Sequence, residues 1–268
     1  MNGGHVHTQD RDIQKAFFRL QEARRARYRL QRIWHPETLH KTKLVLKTPT
    51  HSTLTFREML TEDGLGPETY EASVEREAEA KRGLEALASQ HPLWPHFQAL
   101  GGFGPYLCGS FVAAGGDIER APKVSSFWKG MGLDVVTTKG KDGITEMKAP
   151  REERGRRDSE RLIPAPPHVT LVGEQIRQQI LRTAKKNRLY DRYASEKAKA
   201  KTTHPDWNKM HAHKHALRVV QKLLYAVLWS AWRQARGLPA PAPYIVMKDA
   251  SHHEFTFEEL TGNRVAAD

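Results

Sequence analysis

The chain has 268 residues, 43 Lys and Arg against 31 Asp and Glu, and a formal net charge of +12; an excess of this size points toward polyanions, since each cation that neutralises a phosphate releases condensed counterions. Its single cysteine, Cys108, excludes a disulfide framework and fits a reducing compartment. The longest apolar run, Leu223 to Trp232, falls far short of the roughly 20 residues a membrane span requires, and Met1 to His5 lacks the basic and apolar order of a signal peptide. The expectation is a cytoplasmic, mainly α protein with no membrane partner.

In chain order, residues 12–34 place Ile13, Phe17, Leu20, Ala23, Leu30 and Ile33 on one helical face, interrupted by Arg27. Arg19, Arg24, Arg25, Arg29 and Arg32 form a basic stripe on the other faces, which suits either a solvated surface or a phosphate track. Gly64, Gly66 and Pro67 break the chain before a second polar helix over 68–90. Two such helices predict an antiparallel pair or a coiled linker, so residues 1–90 read as a basic helical N-terminal region. Residues 91–138 read as the ordered core. The stretch 139–169, with REERGRRDSER and PAPP, reads as a charged linker or insertion. Helical periodicity returns over 170–201 and 208–236, within a C-terminal part spanning 170–240, and Gly237 and Pro239 stop the last helix. A tail over 241–268 contains a candidate strand at Tyr244 to Met247.

The segment FQALGGFGPYLCGSFVAAGGDI, residues 97–118, combines a helix end, a glycine turn and a second helix opening at Pro105. Gly102-Phe103-Gly104 before a helix is the sequence form of a helix-hairpin-helix. Glycines permit the sharp turn, and the N–H groups at the start of the second helix have no intrahelical acceptor and can meet a phosphate. Pro105 at the first helical position loses nothing, because its N–H would have been unpaired. The competing reading is an ordinary cap and turn between two core helices.

The run LGGFGPYLCGSFVAAGGDIERAPKVSSFWKGMGL resembles the C-terminal domain of the bridge-RNA-guided insertion-sequence transposases, which carry a catalytic serine there and a RuvC-like nuclease domain ahead of it. Gly173 and Arg177 in VGEQIRQQILRTA resemble the helix that follows in that family. The resemblance spans roughly residues 68–236 and is closest over 92–133. It implies DNA as a partner, with a structured RNA, a separately encoded RuvC-like nuclease subunit and a homo-oligomer as further ones. The departures are as informative: residues 1–90 hold no strand-borne carboxylate array for metal-dependent nuclease chemistry, and the expected serine is missing from the stretch that reads Asp134-Val135-Val136-Thr137-Thr138-Lys139-Gly140-Lys141. Thr137 and Thr138 are the hydroxyls available in its place, set against the plainer reading of surface threonines. Ser125 and Ser126 suit helix caps.

His211, His213 and His215, with His204 nearby, suit a phosphate-facing or solvated cluster better than a metal site, since only His211 and His215 share a helical face. No metal and no cofactor are expected. Tyr190 and Tyr193 lie among Lys185, Lys186, Arg188 and Arg192 and are candidates for stacking on bases. The sequence thus predicts a transposase-like, nucleoid-associated DNA-binding protein. Gly102, Phe103, Gly104 and Tyr106 would hold a DNA backbone, and Lys139, Lys141, Arg177, Arg182, Lys185, Lys186, Arg188 and Arg192 would line a basic surface. The alternatives are a recombinase acting through Thr137 or Thr138, and a non-enzymatic nucleoid-type or regulatory protein.

Overall fold

Helix α1 (Gly3–Trp34) keeps the predicted face: Ile13, Phe17, Leu20 and Ala23 are buried, one turn apart. A computed structural model describes residues 3–34, 67–133, 136–139, 145–148, 166–184, 186–242 and 255–265. The other elements are α2 (Pro67–Ala88), α3 (Trp94–Ala99), α4 (Pro105–Gly115), a 3-10 turn (Ile118–Arg120), α5 (Val124–Gly130), strands β1 (Val136–Lys139) and β2 (Thr145–Lys148), α6 (Pro167–Arg182), α7 (Leu189–Thr203), α8 (Lys209–Ala235) and α9 (Phe257–Thr261). The protein is mainly helical, and among the described residues no helix is long and apolar enough to cross a membrane.

α4 forms the centre because nearly all of it is apolar or small: Leu107, Cys108, Gly109, Ser110, Phe111, Val112 and Ala113 are buried. It packs against α1, α2, α3 and α6. Gly109 sets the approach of α2, since a Cβ there would stand 2.8 Å from Leu84 Cδ1 and 3.1 Å from Ala88 Cβ. Gly115 does the same for α8, where a Cβ would meet Trp232 at 2.8 Å. Phe111 is the aromatic hub, with ring centroids 5.1 Å from Tyr225, 5.6 Å from Phe97 and 5.8 Å from Phe127; such inclined rings add roughly 0.5–1.5 kcal/mol per pair beyond their buried area. Burial pushes the Cys108 thiol far above its ordinary range, which leaves it a core residue.

α1 and α2 pair antiparallel within the chain. Near one end Arg24 and Arg27 both reach Glu77. At the other, Asp10 meets His91, three residues beyond the end of α2, at 3.0 Å. His91 Nδ1 accepts the Leu93 N–H at 3.1 Å, so Nε2 carries the proton and donates it to Asp10. The second Asp10 oxygen takes the Arg236 guanidinium from the end of α8, with both side chains buried. This network ties the first helix to the last long one.

One apolar cluster runs through residues of α1, α2, α4, α6, α8 and α9, crossing the sequence boundaries at 90 and 169. A strand pair, Val136 opposite Lys148 and Lys139 opposite Thr145, straddles the boundary read between 138 and 139 and enters the stretch read as linker. The tail carries a folded element: Thr256 and Glu259 form a capping box on α9, whose Leu260 is buried. Tyr244 to Met247 lies outside the described residues.

Asp10→Ala would leave the Arg236 charge buried without its partner, so urea unfolding is expected to show a loss of about 3–5 kcal/mol; a loss under about 1 kcal/mol would show that the network does not hold α1 to α8.

Candidate nucleic-acid interface

Between α3 and α4 the chain reverses through Gly101 and Gly102, at φ +59° and +103°. The side-chain-free backbone is required here: a Cβ on Gly102 would lie 2.9 Å from Thr183 Cγ2, and its φ is in the region L side chains rarely adopt. Phe103 then enters the core, 2% exposed, with its ring 6.3 Å from Phe97. Gly104 is the N-cap of α4, and Pro105 follows at the first helical position. The predicted hairpin is therefore formed as a turn between two helices.

Three carbonyls, one in the turn and two at the helix end before it, accept from amide side chains of distant parts of the chain. Asn263 Nδ2 donates to Ala99 O at 2.6 Å. Asn187 Nδ2 donates to Leu100 O at 2.6 Å, while its Oδ1 accepts the Leu189 N–H at 3.0 Å. Gln179 Nε2 donates to Gly102 O. The amides of the turn are treated oppositely. Leu107 and Cys108 both donate to Gly104 O, but among the described residues no backbone carbonyl accepts from the N–H of Gly102, Gly104 or Tyr106. Gly102 and Gly104 are exposed. Three acceptors at the turn are thus occupied while donors stand at the positive pole of α4, an arrangement that favours an anion.

One cationic side chain from the α6–α7 connection lies along this turn, and others stand near it in sequence. The Lys186 stem runs along the turn, its Cβ 3.2 Å from where a Gly101 Cβ would be, and Lys186 is exposed. Arg182 is exposed at the end of α6. Arg188 is exposed, its backbone N–H donates to Thr261 O at 2.8 Å, and its side chain lies against Gly262. Arg192 stands 4.2 Å over the Phe255 ring. Arg177 is engaged with Glu174 at 2.9 Å. Lys185 and Lys141 lie outside the described residues. Thr137, Thr138 and Lys139 are on β1, where Thr137 pairs with Met147 and Thr138 with Glu146; their side chains lie outside what is described.

Tyr106 faces inward. Its hydroxyl accepts from Arg24 at 2.8 Å and from Gln175 at 3.3 Å, and the Arg24 guanidinium is 5.0 Å from the ring centroid. Burial opposes ionisation of the phenol, but the Arg24 hydrogen bond, with Gln175 and the Arg24 charge, holds it below its ordinary value. Tyr106 therefore joins α1 to the hairpin, and its backbone rather than its ring is at the turn. Of the two tyrosines read as stackers, Tyr190 is 37% exposed, whereas Tyr193 is 6% exposed and its hydroxyl is 2.7 Å from His213 Nδ1.

The histidine cluster is organised by a residue that spacing alone does not single out. Trp207 is stacked between His204 and His211, each centroid 4.0 Å away, and meets the edge of His215 at 5.1 Å. Among the described residues no group of three or more His, Cys, Asp or Glu is placed to hold a metal ion. The amide clamp of Gln179, Asn187 and Asn263 also has no periodic or motif signal, because each partner is 77 or more residues away.

Asn187→Ala leaves the Leu100 carbonyl buried without a donor and is expected to lower stability by about 1–3 kcal/mol in denaturant unfolding. Burial also holds His96, His168, His213 and His215 below the ordinary imidazole value. The unfolded chain therefore binds more protons than the folded one, and stability present above about pH 6.5 is lost as pH falls below it. The melting temperature is expected to drop between about pH 7 and about pH 5, less steeply in His96→Leu; a flat profile would contradict this. Comparison of the chain with protein-family models, with curated proteins and with solved structures finds no match.

Proposed function

We propose that this protein binds nucleic acid through the hairpin at residues 101–104, in the manner of a transposase-like DNA-binding protein. One observation carries the reading: an exposed glycine turn at which the carbonyls of Ala99, Leu100 and Gly102 are taken by amide side chains, at which the N–H groups of Gly102, Gly104 and Tyr106 have no backbone acceptor among the described residues, and along which the Lys186 stem runs. A phosphate satisfies those donors, and no base edge is needed, so binding is backbone-directed and weakly sequence-selective. The formal charge of +12 supplies long-range attraction.

The resemblance in sequence extends the proposal to DNA transposition or recombination, with a structured RNA and a separate RuvC-like nuclease subunit as partners and a homo-oligomer as the working form. A non-enzymatic nucleoid-type role requires only the hairpin. Strand-exchange assays on Thr137→Ala and Thr138→Ala separate the two, because binding is retained in both cases and only a hydroxyl-dependent recombinase loses activity.

Gly104→Asp is the direct test of the hairpin. Gly104 has φ −72°, and nothing lies within 4 Å of where a Cβ on it would stand; Asp is a favoured N-cap, worth about a few tenths of a kcal/mol over Gly. The variant is therefore expected to melt at or above the wild-type temperature. Its carboxylate would repel a phosphate, so duplex binding should weaken at least about tenfold, or about 1.4 kcal/mol. Unchanged affinity would overturn the hairpin as the binding element. Lys186→Glu is expected to reduce the salt dependence of binding, by roughly one to two phosphate contacts.

A further inference from the structure

We infer that the corner where α7 meets α8 is a second polyanion-binding surface, which takes nucleic-acid phosphates and is strengthened when the histidines around Trp207 are protonated. It rests on the nucleic-acid reading above but uses a different part of the molecule. Residues 189–218 contain seven Lys and Arg against three Asp and Glu, together with His204, His211, His213 and His215. α8 opens here, its N-cap Asn208 accepting the His211 N–H at 2.8 Å, so the positive pole of a 27-residue helix adds to the excess.

The Trp207 sandwich gathers the imidazoles into one patch. His204 and His211 lie parallel to the indole, each 4.0 Å away, at interplanar angles of 10° and 4°, which fixes where their imidazoles stand at the opening of α8. Opposing charge comes from each side. His213 faces Lys197 and Lys214 and, from α6, Glu174. His215 faces Glu196, His204, His211 and Arg218. With four imidazoles neutral the patch is moderately basic, and each proton taken up repels the next. A phosphate chain laid along it relieves that repulsion, so binding and protonation reinforce each other. Imidazoles therefore titrate higher in the complex than in the free protein, and the added affinity is fully present below the free-state values and is lost as pH rises through the bound-state ones.

Duplex binding at fixed ionic strength from about pH 8 to about pH 6 is expected to tighten about tenfold for the wild type. His204→Gln/His211→Gln/His215→Gln should keep the affinity at about pH 8 within about twofold and lose most of the rise. Gly104→Asp should bind more weakly throughout and keep the rise. Calorimetry of the wild-type protein in two buffers of different ionisation enthalpy should show net proton uptake on binding, a readout independent of how the triple variant folds. A full pH rise in the triple variant, or binding without proton uptake, overturns this surface and leaves the hairpin untouched; absence of binding at every pH overturns both.

Discussion

Hydrogen bonding at one turn governs the surface of this protein. A glycine reversal exposes backbone groups of both signs, and an anion is favoured only if the carbonyls are withdrawn. Gln179, Asn187 and Asn263 withdraw those of Gly102, Leu100 and Ala99. Because these amides come from α6, from the α6–α7 connection and from just beyond α9, the turn is assembled only when the C-terminal half of the chain has folded onto it. The Asn187 contact also brings Lys186, its neighbour in sequence, along the turn. Carbonyl withdrawal and cation placement are thus one structural event.

Beneath the turn, α4 transmits this arrangement to the rest of the core. Its N-terminal end presents the donors, its middle carries Phe111 among Phe97, Phe127 and Tyr225, and its C-terminal glycine admits Trp232. α1 is held to this framework twice, through Arg24 on Tyr106 and through Asp10 on His91 and Arg236. The basic helix at the N-terminus is therefore part of the same body as the hairpin, and several of its arginines serve packing. Arg24 and Arg27 neutralise Glu77, while Arg19, Arg25 and Arg29 remain exposed.

Helix positions were legible wherever apolar spacing was regular: Ile13, Phe17 and Leu20 in α1, and Val220, Leu224 and Leu228 in α8, are all buried. The glycine turn was legible for a local reason, because left-handed backbone and a proline at the first helical position leave a short-range signature. Residue roles at the turn were less so. Phe103 and Tyr106 sit inside the motif, yet one ring fills the core and the other receives Arg24. The determinants are contacts between residues far apart in sequence, as for Asn187 with Leu100 and Asn263 with Ala99, and no local pattern encodes them. Trp207 illustrates the same limit: a histidine spacing that fits no metal geometry acquires its organisation from an indole contributed by the loop before α8.

The most direct measurement of the proposed phosphate capture at the hairpin is the backbone amide spectrum of the protein during titration with a DNA duplex. The amides of Gly102, Gly104 and Tyr106 are expected to shift most, because their N–H groups acquire phosphate acceptors. Large shifts confined to the exposed Arg19, Arg25 and Arg29 stripe of α1, with the hairpin amides unmoved, would contradict it.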